Sequence, residues 1–143
     1  MSARIFSPSS GPAAITPAQQ WTTALGRVLL SVLFLFSGIG KLAAPAMTIA
    51  YIKSVGLPLP EVGYAIALAV ELGCGTLLLV GFLTRPVGLI LAVFSLGTAL
   101  AFHHNFADQN QLIHFLKNVS ICGGMLYVAA FGAGRISIDG RRR

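Results

Sequence analysis

Four stretches of this chain are almost continuously apolar, and its polar residues gather between them and at the two ends. The stretches run over about 22–42, 62–83, 86–102 and 112–131. Each is close to the ~20 residues that carry a helix across a hydrocarbon core. Backbone groups in lipid must be paired within their own segment, so the pattern predicts an all-α fold, a bundle of four transmembrane helices. Pro86 suits a helix start, and Gly132 and Gly134 suit a helix end. Between the first two spans, Met47, Tyr51, Ile52 and Val55 recur at helical spacing. Pro45 opens that segment and Gly56 closes it, which predicts a short helix lying on the membrane surface. Spans two and three are joined around Thr84-Arg85, too short for anything but an antiparallel hairpin. A polar loop from His103 to Gln111 joins spans three and four.

The same pattern divides the chain. Residues 1–20 are rich in Ser, Pro, Ala and Gln and read as a flexible tail. Residues 21–135 form the membrane domain, and 136–143 a basic C-terminal tail. Ala44-Pro-Ala46 loosely resembles a signal-peptidase site, but the preceding run exceeds the ~7–15 residues of a signal core, so the first span is expected to stay. Small residues recur on span two, with Ala65, Ala69 and Gly73 on one line and Ala67, Glu71 and Gly75 on another. Such lines let helices approach closely in lipid.

Composition sharpens this picture. Of 143 residues, 55% are hydrophobic and only 10% charged, against ~25% charged in soluble proteins. The net charge of +6 would point to nucleic acid in a soluble domain. Here it is assigned to topology. All seven arginines fall on one side of the predicted membrane, at Arg4, Arg27, Arg85, Arg135 and Arg141 to Arg143. Lys41, Lys53 and Lys117 fall on the other, with Glu61 and Asp108. The positive-inside rule makes the arginine side cytoplasmic, so both termini are expected there in a multi-pass inner-membrane protein. The bilayer is the partner this implies; no nucleic acid is.

Glu71 is the one acidic residue within the apolar spans. A charge at the centre of a membrane helix costs about 2.5–3.5 kcal/mol even on lenient scales, so it is kept when paired, hydrated or used. At 1.5 Å per residue, Glu71 lies about 14 Å below the outer end of its helix, and Lys117 and Asn118 about 7–9 Å below theirs. Lys117 or Asn118 is therefore the expected partner. Lys41 and His103 end their spans at the same side. The set Lys41, Glu71, His103, Lys117 and Asn118 is expected to converge in the outer half of the bundle, with Arg27 as a contributor from the cytoplasmic side. Two readings stay open: a polar pocket for a head group, a quinone or a proton, and an ion pair that only fixes helix register.

Other chemistry has less support. His103, His104, Asp108 and His114 are close in sequence, but their spacing matches no metal motif, and no metal is expected. None of the three histidines lies mid-span, which disfavours haem. Cys74 and Cys122 sit in different spans without a CxxC, and their proximity is open. No nucleophile–base–acid set or phosphate loop is present, and no catalytic residue is assigned.

An ordered set of motifs resembles the DoxX family of small bacterial membrane proteins. It comprises Gly26-Arg27, then Ser37-Gly38-Ile-Gly-Lys41-Leu, then Gly56-Leu-Pro58. Glu71-Leu-Gly-Cys-Gly75 and Gly81-Phe-Leu-Thr84-Arg85 follow, then His103 with Asn105-Phe106, and Phe115-Leu-Lys117-Asn118. The tail Gly132-Ala-Gly134-Arg-Ile-Ser137-Ile-Asp139 completes it, with Ala133 where the family often has proline. The resemblance covers about residues 22–140 and implies a four-helix membrane protein. It places Arg27, Lys41, Glu71, Lys117 and Asn118 at family motif positions. It also implies respiratory or thiosulfate-linked quinone reduction, as in the family's namesakes, and association with oxidoreductases. The expected function is thus a redox-associated subunit, linked to a quinone or to a membrane or periplasmic oxidoreductase, with its pocket open to the outer leaflet. It is expected to be an accessory subunit rather than a stand-alone enzyme. The alternatives are a non-catalytic assembly subunit and a small solute or proton transporter, of which this chain would be one half of a dimer; a homo-oligomer is a further expected partner. Spans without evident breaks or an inverted repeat argue against the transporter.

Overall fold

A computed structural model describes residues 15–142, and these are helical with four long helices. Helix α1 covers Pro17–Ala43, starting five residues before the predicted span. The earlier start has a local cause. The Thr16 hydroxyl accepts from the Gln19 amide at 3.3 Å, and the Gln19 side chain accepts from the Thr16 amide at 2.9 Å. This reciprocal cap satisfies two otherwise unpaired donors, and Pro17 fits the first helical position. Residues 17–20 of the expected tail are therefore helix, while residues 1–14 lie outside the described part.

Helix α2, Pro45–Ser54, is the short connecting helix. Of its predicted apolar face only Ile52 is buried; Met47 and Tyr51 are exposed. Helix α3 spans Pro60–Val80 and is not a uniform α-helix. Residues Ala69–Cys74 form a π-helical segment, an interruption absent from the expected regular span. Helix α4 covers Thr84–Phe102 and helix α5 covers Gln109–Phe131, whose first amides are capped by the Asp108 carboxylate. A last turn, α6, covers Ile138–Arg141.

Inside the bundle, Phe34, Leu78, Val87, Leu91, Ala92 and Met125 form the core. Three glycines set the helix spacing. A Cβ at Gly75 would stand 3.2 Å from Leu35, one at Gly38 would stand 2.7 Å from Leu72, and one at Gly88 would stand 3.0 Å from the Ala129 backbone. Of the two small-residue lines on α3, Ala67, Glu71 and Gly75 face inward, and Ala65, Ala69 and Gly73 face outward. Large apolar side chains such as Phe36, Val93 and Tyr127 point away from the protein on several helices. An apolar exterior over four long apolar helices suits hydrocarbon as solvent, and this is a multi-pass membrane protein.

The arginine end of the bundle is locked by the C-terminal segment. Arg27 is buried and donates to the carbonyls of Leu78, Leu79 and Ile136 at 2.8, 2.6 and 2.8 Å. Two of these carbonyls lie near the end of α3, where helix carbonyls run out of intrahelical donors; that of Leu78 also accepts from the Gly81 amide at 3.1 Å. Gly81 turns the chain with φ +69, and a Cβ there would meet Arg27 at 2.6 Å. Leu83 is left-handed at φ 50. Its amide and that of Thr84 donate to the two oxygens of Asp139 at 3.0 and 2.8 Å. The expected basic tail is therefore a docked segment over residues 138–141.

Candidate functional site: a polar pocket at a π-helical turn

Glu71 sits within the π segment and is only 5% exposed. Widening a helix by one residue per turn shifts the side chains beyond it relative to those before it, and such turns often occur at functional positions. One carboxylate oxygen, Oε1, accepts from Lys41 Nζ at 2.9 Å and from Ser37 Oγ at 3.1 Å. Lys41 Nζ also donates to Ser37 Oγ at 2.7 Å, closing a three-member ring of contacts. Tyr64 donates to the Lys41 carbonyl. The other oxygen, Oε2, is buried without a hydrogen-bond partner.

The partner of Glu71 is therefore Lys41 and not Lys117 or Asn118. Side-chain direction explains the difference. On a helix, side chains lean toward the N-terminus. Lys41 lies in the last turn of α1, so it leans back into the bundle. Helix α3 enters from that same end, so Glu71 leans up to meet it. Helix α5 also enters there, so Lys117 leans back toward the surface, where it is exposed. Counting residues along each helix carried no side-chain direction. Arg27, nearer the start of α1, lies at the far end of the bundle from Lys41 and engages the α3 C-terminus; it lines neither cavity near Glu71.

Two cavities meet at this carboxylate. The larger, about 440 Å³, has Lys41, Ser37 and Glu71 on one wall and His103 and Asn118 on another. Tyr51 and Ile52 of α2 contribute, as do Phe94 and Phe102 of α4, and Tyr51 stacks on Phe102 at 5.4 Å. The smaller, about 200 Å³, is lined by Glu71, Ser95, Thr98, His114, Lys117 and Asn118, among others. Ser37, Glu71, Phe94, Thr98 and Asn118 line both. Of the five expected site residues, Lys41 and His103 line the larger cavity, Lys117 the smaller, and Glu71 and Asn118 both. His103 and His114, one on each cavity, stack at 5.1 Å, and His103 Nδ1 lies 3.0 Å from Gln111 Oε1. Among the described residues no group of three or more His, Cys, Asp and Glu could hold a metal. Cys74 and Cys122 are free thiols.

Some of this was not predicted. Ser37 carries a signal: it is four residues before Lys41 and so shares its helix face. Phe94, Thr98 and the π segment carry none, because each reads as ordinary apolar or small helix. A cavity of this size, mostly apolar with a few convergent polar groups, has the character of a small-molecule site.

The DoxX family profile matches residues 22–104, more than half of the chain. The chain belongs to the DoxX family. Inner membrane protein YqjF of Escherichia coli is 40% identical over 117 residues, covering 80% of this chain and 87% of that protein. Inner membrane protein YphA of the same organism is 34% identical over 122 residues, covering 82% and 87%. A shorter match, 36% identical over 78 residues, covers 54% of this chain and 57% of a Bacillus subtilis protein named "Putative oxidoreductase CatD". No solved structure gives a significant match. Four apolar helices and two inner-membrane relatives agree with a multi-pass inner-membrane location for this DoxX member.

Proposed function

We propose that this protein is a redox-associated membrane subunit whose pocket at Glu71 binds the polar head of a quinone. The observation that carries the reading is the buried Glu71 carboxylate. Half of it is held by Lys41 and Ser37, the other half is unpartnered, and it sits on the wall of a largely apolar cavity of about 440 Å³. An unpaired buried acceptor costs about 1–3 kcal/mol, more when charged, so a fold keeps one where something uses it. The donor set suits a quinone. Lys41 and the His103 ring can reach ligand oxygens, and Tyr51, Phe94 and Phe102 offer flat apolar faces. A bound quinone would supply two-electron chemistry, with electrons from a partner oxidoreductase. The name of the B. subtilis relative supports that class of partner.

The orientation belongs to the same proposal. Arg27, Arg85, Arg135, Arg141 and Arg142 lie toward one end of the helices, and the positive-inside rule makes that end cytoplasmic. The pocket then opens to the outer leaflet, with α2 beside it.

The test is titration of the purified protein with a short-chain benzoquinone. Glu71→Gln is expected to weaken binding and Phe102→Ala to weaken it further. Binding that is absent in the wild-type protein, or unchanged in Glu71→Gln, overturns the reading.

A further inference from the structure

Glu71 borders two cavities of different chemical character. The larger carries aromatic walls. The smaller adds the hydroxyl of Ser95 to the shared ones of Ser37 and Thr98, and has His114 and Lys117 from α5. At about 200 Å³ and with this many polar partners, it has room for several waters, each needing about 30 Å³ and two to four hydrogen-bonding groups. His114 lies five residues into α5, about 8 Å from its outer end, and is exposed. The Ser37, Ser95 and Thr98 hydroxyls line the same cavity as His114 and the carboxylate.

We propose that the smaller cavity is a proton branch, joining Glu71 to the aqueous phase through His114 while the larger cavity is occupied by ligand. A proton leaves the His114 imidazolium, breaking an N–H bond. It is relayed through cavity water, because the Ser37 hydroxyl already donates to Oε1 and the Thr98 hydroxyl to the Ser95 carbonyl, and an O–H bond forms at Glu71 Oε2. The carboxylate becomes a neutral acid, and Lys41 keeps its charge. The groups facing Glu71 fit this division. Lys41 and Ser37 on α1 hold Oε1, Tyr64 on α3 supports Lys41 from behind, and Tyr51 and His103 face the ligand side. His114 and Lys117 of α5 belong to the smaller cavity alone. The inference requires Glu71 to bear a proton and is independent of which ligand fills the larger cavity.

The experiment uses the full chain in lipid nanodiscs. A photolytic proton pulse is followed by time-resolved infrared spectroscopy, with Glu71→Gln identifying the Glu71 carboxyl band. His114→Phe keeps a flat ring against His103 and removes the exchangeable proton. It is expected to slow Glu71 protonation about tenfold, within the range of a positioned acid–base group, and added imidazole should restore the rate. Gly97→Leu grows into the larger cavity, where a Cβ meets nothing within 4 Å. It should reduce short-chain benzoquinone binding and leave the protonation rate unchanged. An unchanged rate in His114→Phe, equal slowing in Gly97→Leu, or no Glu71 band after the pulse overturns the proton branch. Absence of quinone binding in the wild type with a His114-dependent rate overturns only the ligand assignment.

Discussion

Lys41 reaches 2.9 Å from Glu71 across two helices because both side chains lean toward each other from opposite chain directions. The lysine side chain is 27% exposed and the glutamate side chain 6%, so the acid is the more buried partner. Removing one partner of such a pair strands the other, at a cost of about 3–5 kcal/mol. Lys41→Met is therefore expected to destabilise by about 3 kcal/mol or to lower the yield of folded protein. Replacing both, as Lys41→Met with Glu71→Leu, is expected to recover most of that loss. Denaturant unfolding in mild detergent provides the double-mutant cycle. Equal loss in the single and double variants would mean that the pair is not what the lysine supports.

The two small-residue lines on α3 give a second prediction. A Cβ at Gly75 would stand 3.2 Å from Leu35 and 3.4 Å from Phe34, whereas one at Gly73 would meet nothing within 4 Å. Gly75→Leu should push α1 away and cost about 1–3 kcal/mol by overpacking. Gly73→Leu should stay within about 0.5 kcal/mol, as an exposed substitution does. If Gly73→Leu also reduces recovery of a partner protein from membranes, the outward line is a docking face as well. Comparing the unfolding of the two variants separates the faces.

The sequence exposes the parts of this fold that lipid dictates. Span length and the Pro and Gly boundaries follow from the need to pair every backbone group, and the four helices and the short α2 lie where that need puts them. Of the residues grouped from the sequence, Lys41 and His103 line the larger cavity, Lys117 the smaller, and Glu71 and Asn118 both. What residue counting lacked was direction, so it paired Glu71 with Lys117. The π segment was hidden for a different reason. One added residue in a helical turn changes the register without changing composition, and Ala69–Cys74 has no proline or polar run to mark it. The C-terminal dock was hidden because Arg27 and Ile136 are 109 residues apart and meet only in the folded bundle.

Arg27 is the least replaceable basic residue on that end. Its guanidinium fans three donor contacts over two segments, a geometry that a lysine ammonium cannot reproduce. Arg27→Lys is expected to release the segment after Gly134 and to destabilise by about 1–3 kcal/mol, the cost of leaving buried acceptors unpaired. Limited proteolysis checks it. Cleavage near Arg135 should become faster in Arg27→Lys. A cleavage rate equal to wild type would show that the C-terminal segment is held without Arg27.

Asp139 gives the dock a pH dependence whose sign follows from its contacts. Burial by itself would raise the pKa of this carboxyl. The amides of Thr84 and Leu83 and the charge of Arg142 outweigh it and leave the pKa below its usual value of 3.8. A carboxyl depressed in the folded state contributes stability in full above its unfolded pKa, and loses it as pH falls through the folded value. The dock should therefore hold at neutral pH and loosen progressively below about pH 4. Leu83 then loses the acceptor that steadies its left-handed backbone, so the α3–α4 turn should loosen with it. Asp139→Asn retains a single acceptor oxygen and should be less stable at neutral pH, with a flatter response to acid. Amide hydrogen exchange at Leu83 and Thr84, read between neutral and acidic pH, tests this. Exchange that accelerates equally in wild type and Asp139→Asn would assign the acid response to some other group.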